Sequence, residues 1–152
     1  NNETELYNGS AWTEVNNLNT ARLALTGFGI ATAGLAFGGE APPGKQATTE
    51  SWNGTSWTEV NDLNTARSNI AGSGLIAAGA AFGGTTGSNV AITEDWNGAS
   101  FSEVGDLNVA RQVMNKTSSS GLALAVGGTT GSNTGATEEF SASSITTNIL
   151  TD

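Results

Sequence analysis

Residues Trp52 to Arg67 read WNGTSWTEVNDLNTAR, and this stretch contains the strongest local structural signal in the chain. Asn53 and Gly54 lie between β-forming residues, and both residue types accept the positive φ angles of a tight hairpin turn. Thr49 to Trp52 lead into this turn, and Trp57 to Val60 follow it. The stretch therefore predicts a hairpin of two short antiparallel strands.

The same hairpin signal recurs along the chain at a nearly constant interval. Its aromatic residue is separated by 45, 44 and 44 residues from copy to copy. The arginine after the hairpin and a later pair of glycines keep the same steps, so three independent markers define one repeat. The fourth copy is divergent, with Ser141 and Ala142 in place of Asn-Gly. The copies begin at Thr4, Thr49, Thr93 and Thr137, the arginines are Arg22, Arg67 and Arg111, and the glycine pairs begin at Gly38, Gly83 and Gly127.

A period of 44–45 residues is typical of a four-stranded propeller blade but also of some helical repeats. The composition favours strands, because 21 of the 152 residues are glycine and they are scattered through the apolar segments, where glycine disfavours a helix. We therefore interpret each repeat as four short antiparallel strands, a to d. Strands a and b are the apolar stretches after the arginine, such as Leu23 to Phe28 and Ile30 to Phe37. Strands c and d form the Asn-Gly hairpin, and the predicted fold is all-β.

Strand b is rich in alanine and glycine, as in Ala77 to Ala81. Small side chains let neighbouring backbones approach, which suits a crowded position near the axis of a propeller. The aromatic residues of strands c and d are then expected to fill the wider space between blades, because each blade is apolar on both faces. These aromatic positions are Tyr7, Trp12, Trp52, Trp57, Trp96, Phe101 and Phe140.

The order of Ala66-Arg67, Phe82-Gly83-Gly84, Trp96 and Phe101 resembles the kelch-type repeat of β-propellers. The preceding copy has the same order, and the likeness covers nearly all of the chain. The sequence from Trp52 to Arg67 is also similar to the Asn/Thr-rich kelch-like arrays of predicted structural proteins in marine tailed phages. This resemblance implies a propeller that serves as a structural or binding module of a virion, and therefore an extracellular location.

The repeats divide a single 1–152 domain into a half-blade at 3–18 and blades at 20–63, 65–107 and 109–152. The c–d hairpin occurs four times and the a–b pair three times, which makes about three and a half blades. Closed propellers usually have four to eight blades, and an open stack would expose sheet edges. We expect another copy or residues missing from this chain to complete the ring, or else a four-unit ring with one reduced blade. The divergent last repeat is expected to end the array, and the N-terminus to be a cut or an assembly surface.

The composition argues against several classes of function. The chain has 14 acidic and 5 basic residues and a formal charge of −9, which disfavours binding to nucleic-acid phosphates. It contains no cysteine and no histidine, which excludes thiolate nucleophiles, cysteine zinc sites and imidazole bases. Kelch-like propellers include galactose oxidase, whose copper site needs Tyr, His and Cys ligands, whereas this chain has a single Tyr and neither of the others. Gly54 to Trp57 resemble only the second half of the turn that sialidase propellers carry. No apolar run approaches the 18 residues of a membrane span. We expect neither an enzyme nor a membrane span.

Two sets of carboxylates recur with the repeat, and we expect them to pair with the repeat arginines or to solvate an exposed face. A paired-carboxylate enzyme instead needs one unique place with two different environments. Asn61, Asp62, Asn64 and Asp106 offer oxygen ligands for Ca²⁺, although their spacing matches no defined calcium loop and such residues are common between strands. No other metal or cofactor is expected. The recurring carboxylates are Glu5, Glu50, Glu94 and Glu138, and Glu14, Glu59 and Glu103.

The variable loops after the glycine pairs are the candidate recognition sites, because loops on a rigid scaffold often carry binding functions. Two of them share Thr-Thr-Gly-Ser-Asn, a small polar sequence suited to glycan contact or to a neutral linker. We expect a fibre, decoration or adhesion element that binds other copies of itself, other virion proteins or cell-surface glycans. The alternatives are a carbohydrate-active or lectin-like propeller and a self-assembling extracellular filament subunit. The candidate loop residues are Glu40, Pro42, Pro43, Lys45, Thr85, Thr86, Ser88, Asn89, Thr129, Thr130, Ser132 and Asn133.

Overall fold

All regular secondary structure in the described part of the chain is β-strand. The computed structural model describes residues 2–119 and 122–141. Every strand pair within these ranges is antiparallel, and the ranges contain no helix that could cross a membrane. The predicted all-β, antiparallel fold is confirmed.

The strands form four successive units that follow the sequence repeat. Unit 1 is a two-stranded hairpin, units 2 and 3 are four-stranded sheets with strands in sequence order, and unit 4 has three described strands. The fourth strand predicted for unit 4 lies outside the described residues. Unit 1 contains β1 (Thr4–Tyr7) and β2 (Trp12–Val15). Unit 2 contains β3 (Thr26–Ile30), β4 (Ala33–Phe37), a small loop hairpin of β5 (Glu40–Ala41) and β6 (Gly44–Lys45), then β7 (Thr49–Trp52) and β8 (Trp57–Glu59). Unit 3 contains β9 (Ala71–Leu75), β10 (Ala78–Phe82), β11 (Thr93–Trp96) and β12 (Phe101–Glu103), and unit 4 contains β13 (Asn115–Ser119), β14 (Leu122–Val126) and β15 (Thr137–Ser141).

The first strands of units 2 to 4 begin later than the sequence predicted. Ala24, Asn69 and Val113 occupy equivalent positions before β3, β9 and β13, and their φ angles are 52°, 53° and 55°. A left-handed residue interrupts an extended strand, so β3 begins three residues after Leu23. Ile30, predicted as the start of strand b, instead ends β3.

The predicted hairpin between β7 and β8 is present, but its loop contains the four residues 53–56. Gly54 has a φ angle of 92°, whereas Asn53 is not in the positive-φ region. The Asn53 Oδ1 atom accepts the backbone N–H groups of Thr55 and Ser56, each at 2.9 Å. Asn53 therefore does not adopt the positive φ angle that its residue type accepts, and its side chain instead closes the turn by hydrogen bonding.

Units 2 to 4 stack through their first strands, with β9 lying between β3 and β13. One apolar core joins units 2 and 3, and a second joins units 3 and 4. Unit 3 therefore buries apolar side chains on both of its faces, as expected for repeats that depend on their neighbours for stability. The first core contains Leu35, Phe37, Leu63, Ile70, Ala81, Trp96 and Phe101, and the second contains Ala71, Ala80, Phe82, Ala123 and Ala125.

The glycine pair at the end of β10 is required by both backbone conformation and packing. Gly83 and Gly84 have φ angles of 64° and 102°. A Cβ atom on Gly83 would lie 2.2 Å from the Cε atom of Met114 and 2.5 Å from the carbonyl oxygen of Arg111. Since both neighbours belong to the segment that enters unit 4, the pair places the following loop against the next unit.

Candidate recognition surface

Arg67 and Glu94 form an ion pair in the interior of unit 3. The Arg67 Nη2 atom lies 3.2 Å from Glu94 Oε1, and both side chains are fully buried. Burial lowers the pKa of the Arg67 guanidinium, and the charge of Glu94 opposes this shift. Arg67 Nη2 also donates to the Ala81 carbonyl at 3.3 Å, and Glu94 Oε2 accepts the Asn64 backbone N–H at 2.6 Å. The pair therefore joins β10 and β11 to the segment that enters the unit.

The same ion pair occurs in units 2 and 4, which is the first of the two roles that the sequence left open for these glutamates. Arg22 Nη2 lies 3.3 Å from Glu50 Oε1 in unit 2, and Arg111 pairs with Glu138 in unit 4. The side chains of Arg22 and Arg111 are also closed to solvent. Each arginine thus serves its own sheet, and the three guanidinium groups do not converge on a shared ligand.

Glu138 is the most exposed of the three carboxylates that pair with arginine, with 15% of its side chain accessible to solvent. Burial raises the pKa of the Glu138 carboxyl, but the hydrogen bonds from Asn108 and Arg111 together outweigh burial. The resulting pKa lies below the ordinary value of 4.5. Glu138 therefore keeps its charge opposite Arg111 at neutral pH.

The aromatic residues at the ends of the third and fourth strands pack in pairs. The ring centroids of Trp52 and Trp57 are 5.2 Å apart, and those of Trp96 and Phe101 are 4.9 Å apart. Trp52 and Trp96 are buried, and each donates its Nε1–H at 2.9 Å to a carbonyl in the turn between the first two strands of its unit. Phe140 is partly buried against the second core.

Unit 1 contains an equivalent pair in a different environment. The ring centroids of Tyr7 and Trp12 are 5.1 Å apart, but their exposed fractions are 49% and 65%. The Tyr7 hydroxyl donates to the Gly9 carbonyl within its own hairpin at 2.9 Å. Unit 1 has no first and second strands among the described residues, so no turn covers these rings.

The first predicted recognition loop forms the β5–β6 hairpin. Glu40 and Lys45 lie at its base and form an ion pair of 2.5 Å, while Pro42 and Pro43 are exposed at its tip. Glu40 also exchanges two backbone hydrogen bonds with Leu23, at 2.9 and 2.8 Å. The loop is therefore held against the segment that precedes β3.

The other two recognition loops share one local structure. In each, the hydroxyl oxygen of the first threonine accepts the backbone N–H of a glycine, at 3.1 Å in both Thr85–Gly87 and Thr129–Gly131. The Asn89 Nδ2 atom donates to the Thr129 carbonyl at 3.0 Å, so the two loops are in direct contact. Their exposed polar residues are Thr86, Ser88, Thr130, Ser132 and Asn133.

We call the surface formed by residues 40–46, 85–90 and 129–135 the loop face. Each loop pairs with the segment that precedes the first strand of its own unit, through Leu23, Ser68 and Gln112 respectively. The loop face therefore lies at one end of the stacked sheets, opposite the end where the Asn-Gly turns approach the turns between first and second strands. Its exposed groups are mainly hydroxyls and amides, which can form directed hydrogen bonds with a polar ligand.

The candidate Ca²⁺ ligands take part in hydrogen bonds that support the units. The Oδ1 atoms of Asp62 and Asp106 accept the backbone N–H groups of Thr49 and Thr93, at 2.9 and 3.1 Å. The side-chain amide of Asn61 donates to the Ala99 carbonyl, and that of Asn64 to Glu94 and Phe101. Within residues 2–119 and 122–141, no three His, Cys, Asp or Glu side chains form a group able to hold a metal ion.

One repeated structural feature was not predicted from sequence. The backbone N–H of Asn69 donates to the Ala24 carbonyl at 3.0 Å, and the N–H of Val113 donates to the Asn69 carbonyl at 3.2 Å. This ladder links the left-handed residues of units 2, 3 and 4. The only sequence signal is their position two residues after each arginine, because Ala, Asn and Val share no conformational preference.

No family model matches this chain, and no curated protein matches it. The resemblance to kelch-type repeats and to phage arrays therefore stays a prediction.

Proposed function

We propose that this chain is a non-enzymatic, kelch-like β-propeller module that acts as a structural or adhesion element. The observation that carries the proposal is the loop face, in which three variable loops stand at one end of stacked sheets. Asn89 connects two of these loops directly, and Glu40 fastens the third to its own unit. A rigid scaffold that displays adjacent polar loops is a typical arrangement for recognition.

The ion pairs support a non-enzymatic role. The glutamates that recur in units 2 to 4 are used in buried pairs with arginine, where they join strands of one sheet. The chain also contains no histidine and no cysteine to act as a base or a nucleophile. The repeated arginines and the glutamates paired with them thus serve the scaffold, and the proposed activity is binding.

The similarity of the repeat to phage arrays extends the proposal to a virion, outside the cell. A formal charge of −9 disfavours nucleic-acid partners, so the expected partners are other virion proteins, further copies of this chain and cell-surface glycans. The hydroxyl and amide groups of the loop face suit glycans best, because these ligands are recognised by directed hydrogen bonds.

A glycan array probed with the purified chain tests this proposal. We expect binding to a limited class of glycans, weakened about fivefold by the double substitution Thr86→Ala and Thr130→Ala, since each lost hydrogen bond is worth roughly 1 kcal/mol or less. Thr58→Ala is the matched control, because Thr58 is exposed on β8, away from the loop face. Equal binding by the double variant would place recognition elsewhere, and hydrolysis or oxidation of the glycans would contradict a non-enzymatic role.

A further inference from the structure

A groove of about 650 Å³ lies between unit 1 and the first two strands of unit 2. Leu6, Val15 and Leu18 line one side, and the small residues Gly27, Gly34 and Ala36 line the other. The corresponding residues of unit 3, at 72, 79 and 81, face unit 2 in the stack. The groove therefore occupies the place where a preceding sheet would pack against unit 2.

The glycines show what such a sheet would contribute. A Cβ atom on Gly79 would lie 2.6 Å from the Phe28 ring, and one on Gly72 would lie 2.5 Å from the Phe37 ring. At Gly34, which is equivalent to Gly79, the nearest atom is a backbone oxygen of Phe28 at 3.5 Å. Glycine thus lies against an aromatic ring of the neighbouring unit in unit 3, whereas the three atoms nearest to a Cβ on Gly34 all belong to unit 2 itself. A matching occupant of the groove would place an aromatic ring over Gly34.

The negative charge of Glu5 at the groove indicates a second side chain that the occupant would contribute. Glu5 lines the groove and occupies the repeat position of Glu50, Glu94 and Glu138, each of which pairs with an arginine. Glu5 is exposed and forms no ion pair within residues 2–119 and 122–141. An occupant that follows the repeat would bring its own arginine to this carboxylate.

The order of strands in unit 1 indicates that the backbone of the occupant would be an extended strand. In unit 2, β7 pairs with β8 on one side and with β4 on the other, whereas the equivalent β1 has β2 as its only partner among the described residues. The free edge of β1 can therefore accept one further antiparallel strand. The exposure of Tyr7 has the same origin, because its counterpart Trp52 is covered by the turn of the first two strands.

We propose that this groove binds a β-hairpin with the sequence pattern of strands a and b. The hairpin is carried by a polypeptide segment that is neither part of the described residues nor a second copy of them. Its second strand pairs with the free edge of β1, its leading arginine meets Glu5, and its aromatic side chain covers Gly34. The groove is lined by residues other than those of the loop face, so a negative glycan array leaves this proposal unaffected.

The hairpin is best tested in tethered form, by inserting a copy of residues 19–48 directly before Thr4. The copy includes Arg22, Phe28 and Phe37, and its junction reproduces the natural connection from Thr48 to Thr49. It contains neither Trp nor Tyr, so fluorescence reports only on the original chain. We expect the melting temperature to rise by about 5 °C or more and the emission of the tryptophans near the groove to shift to shorter wavelength.

Two substitutions test the expected register within the tethered protein. Glu5→Arg should remove most of the gain in melting temperature, and changing the inserted copy of Arg22 to Glu should restore it. Gly34→Phe should fill the groove and also remove the gain, whereas Gly105→Phe should not, because a Cβ atom on Gly105 has no neighbour within 4 Å. Gly34→Phe in the original chain controls for any direct effect on folding.

Three results would overturn the proposal. The first is an inserted hairpin that leaves both the melting temperature and the emission spectrum unchanged. The second is a gain that survives both Glu5→Arg and Gly34→Phe. The third is dimerisation of the unmodified chain, measured by light scattering, that Gly34→Phe abolishes. This last result would identify a second copy as the occupant.

Discussion

Arg67 and its equivalents matter to stability chiefly because removing one of them would leave a buried carboxylate without its partner. Transfer of an ion pair into a protein interior costs desolvation energy that the attraction roughly offsets, so the net stabilisation is small. A carboxylate that loses its buried cation pays the desolvation cost without that compensation. In unit 3 the affected group would be Glu94, whose side chain is fully buried.

We predict that Arg67→Ala lowers the free energy of unfolding by about 3–5 kcal/mol, the usual cost of leaving one partner of a buried pair. Urea denaturation followed by fluorescence measures this loss. Lys45→Ala is the matched control, because it breaks the partly exposed pair with Glu40 and should cost less than about 1 kcal/mol. Equal stabilities of the Arg67→Ala variant and the parent would show that the buried pair has no structural role.

The strand β11 illustrates how one element serves two interfaces. Trp96 belongs to the core between units 2 and 3. Asp95 lies opposite Ala80, which belongs to the core between units 3 and 4, so its side chain points to the other face of the sheet. Burial raises the pKa of the Asp95 carboxyl above its ordinary value of 3.8. The charged form of Asp95 is therefore less stable in the folded protein than in the unfolded chain.

The raised pKa of Asp95 leads to a pH-dependent prediction for Asp95→Asn. Because the folded-state pKa is raised, the stabilising contribution of the neutral carboxyl is complete below pH 3.8 and is lost as the pH rises through the folded-state value. The variant should be more stable than the parent at pH 7, and the difference should disappear near pH 3. Urea denaturation at both values measures it, with the exposed Glu103→Gln on β12 as control. A variant that is less stable than the parent at pH 7 would contradict the assigned environment.

The whole molecule depends on contacts between units. The Phe37 side chain is fully buried, and its ring lies 5.3 Å from that of Phe28 and 5.4 Å from that of Phe101 in unit 3. The same ring lies over Gly72 of β9. Because the apolar faces of neighbouring sheets cover each other, loss of one interface should weaken both units that form it.

We predict that Phe37→Ala lowers the free energy of unfolding by about 3–5 kcal/mol and leaves unfolding cooperative. Urea transitions measured by tryptophan fluorescence and by far-ultraviolet circular dichroism should coincide. Leu23→Ala is the apolar control, since 63% of Leu23 is exposed and its loss should have little effect. Separate transitions for the two signals would show that the units unfold independently.

Much of the local structure could be predicted from sequence, because its signals lie within a few residues of one another. Asn53 and Gly54 mark a hairpin that is present, and Gly83 marks the end of β10. The start of β3 was predicted too early, since a left-handed Ala24 has no sequence signature. The loop residues were predicted as separate candidates, and the contact from Asn89 to Thr129 depends on the stacking of units 3 and 4.

The sequence by itself determined the repeat, the all-β class and the position of the turns, because these follow from spacing and from the conformational preferences of individual residues. It left open whether the recurring glutamates meet the arginines or face solvent. Only the tertiary structure decided this, since Arg67 and Glu94 meet across 27 residues of chain when β10 and β11 pair. The groove beside Glu5 was likewise invisible in the sequence. Gly34 and Gly79 are the same residue type at the same repeat position, and their environments differ because, in the part of the chain that the structure describes, only Gly79 has a complete four-stranded sheet beside it.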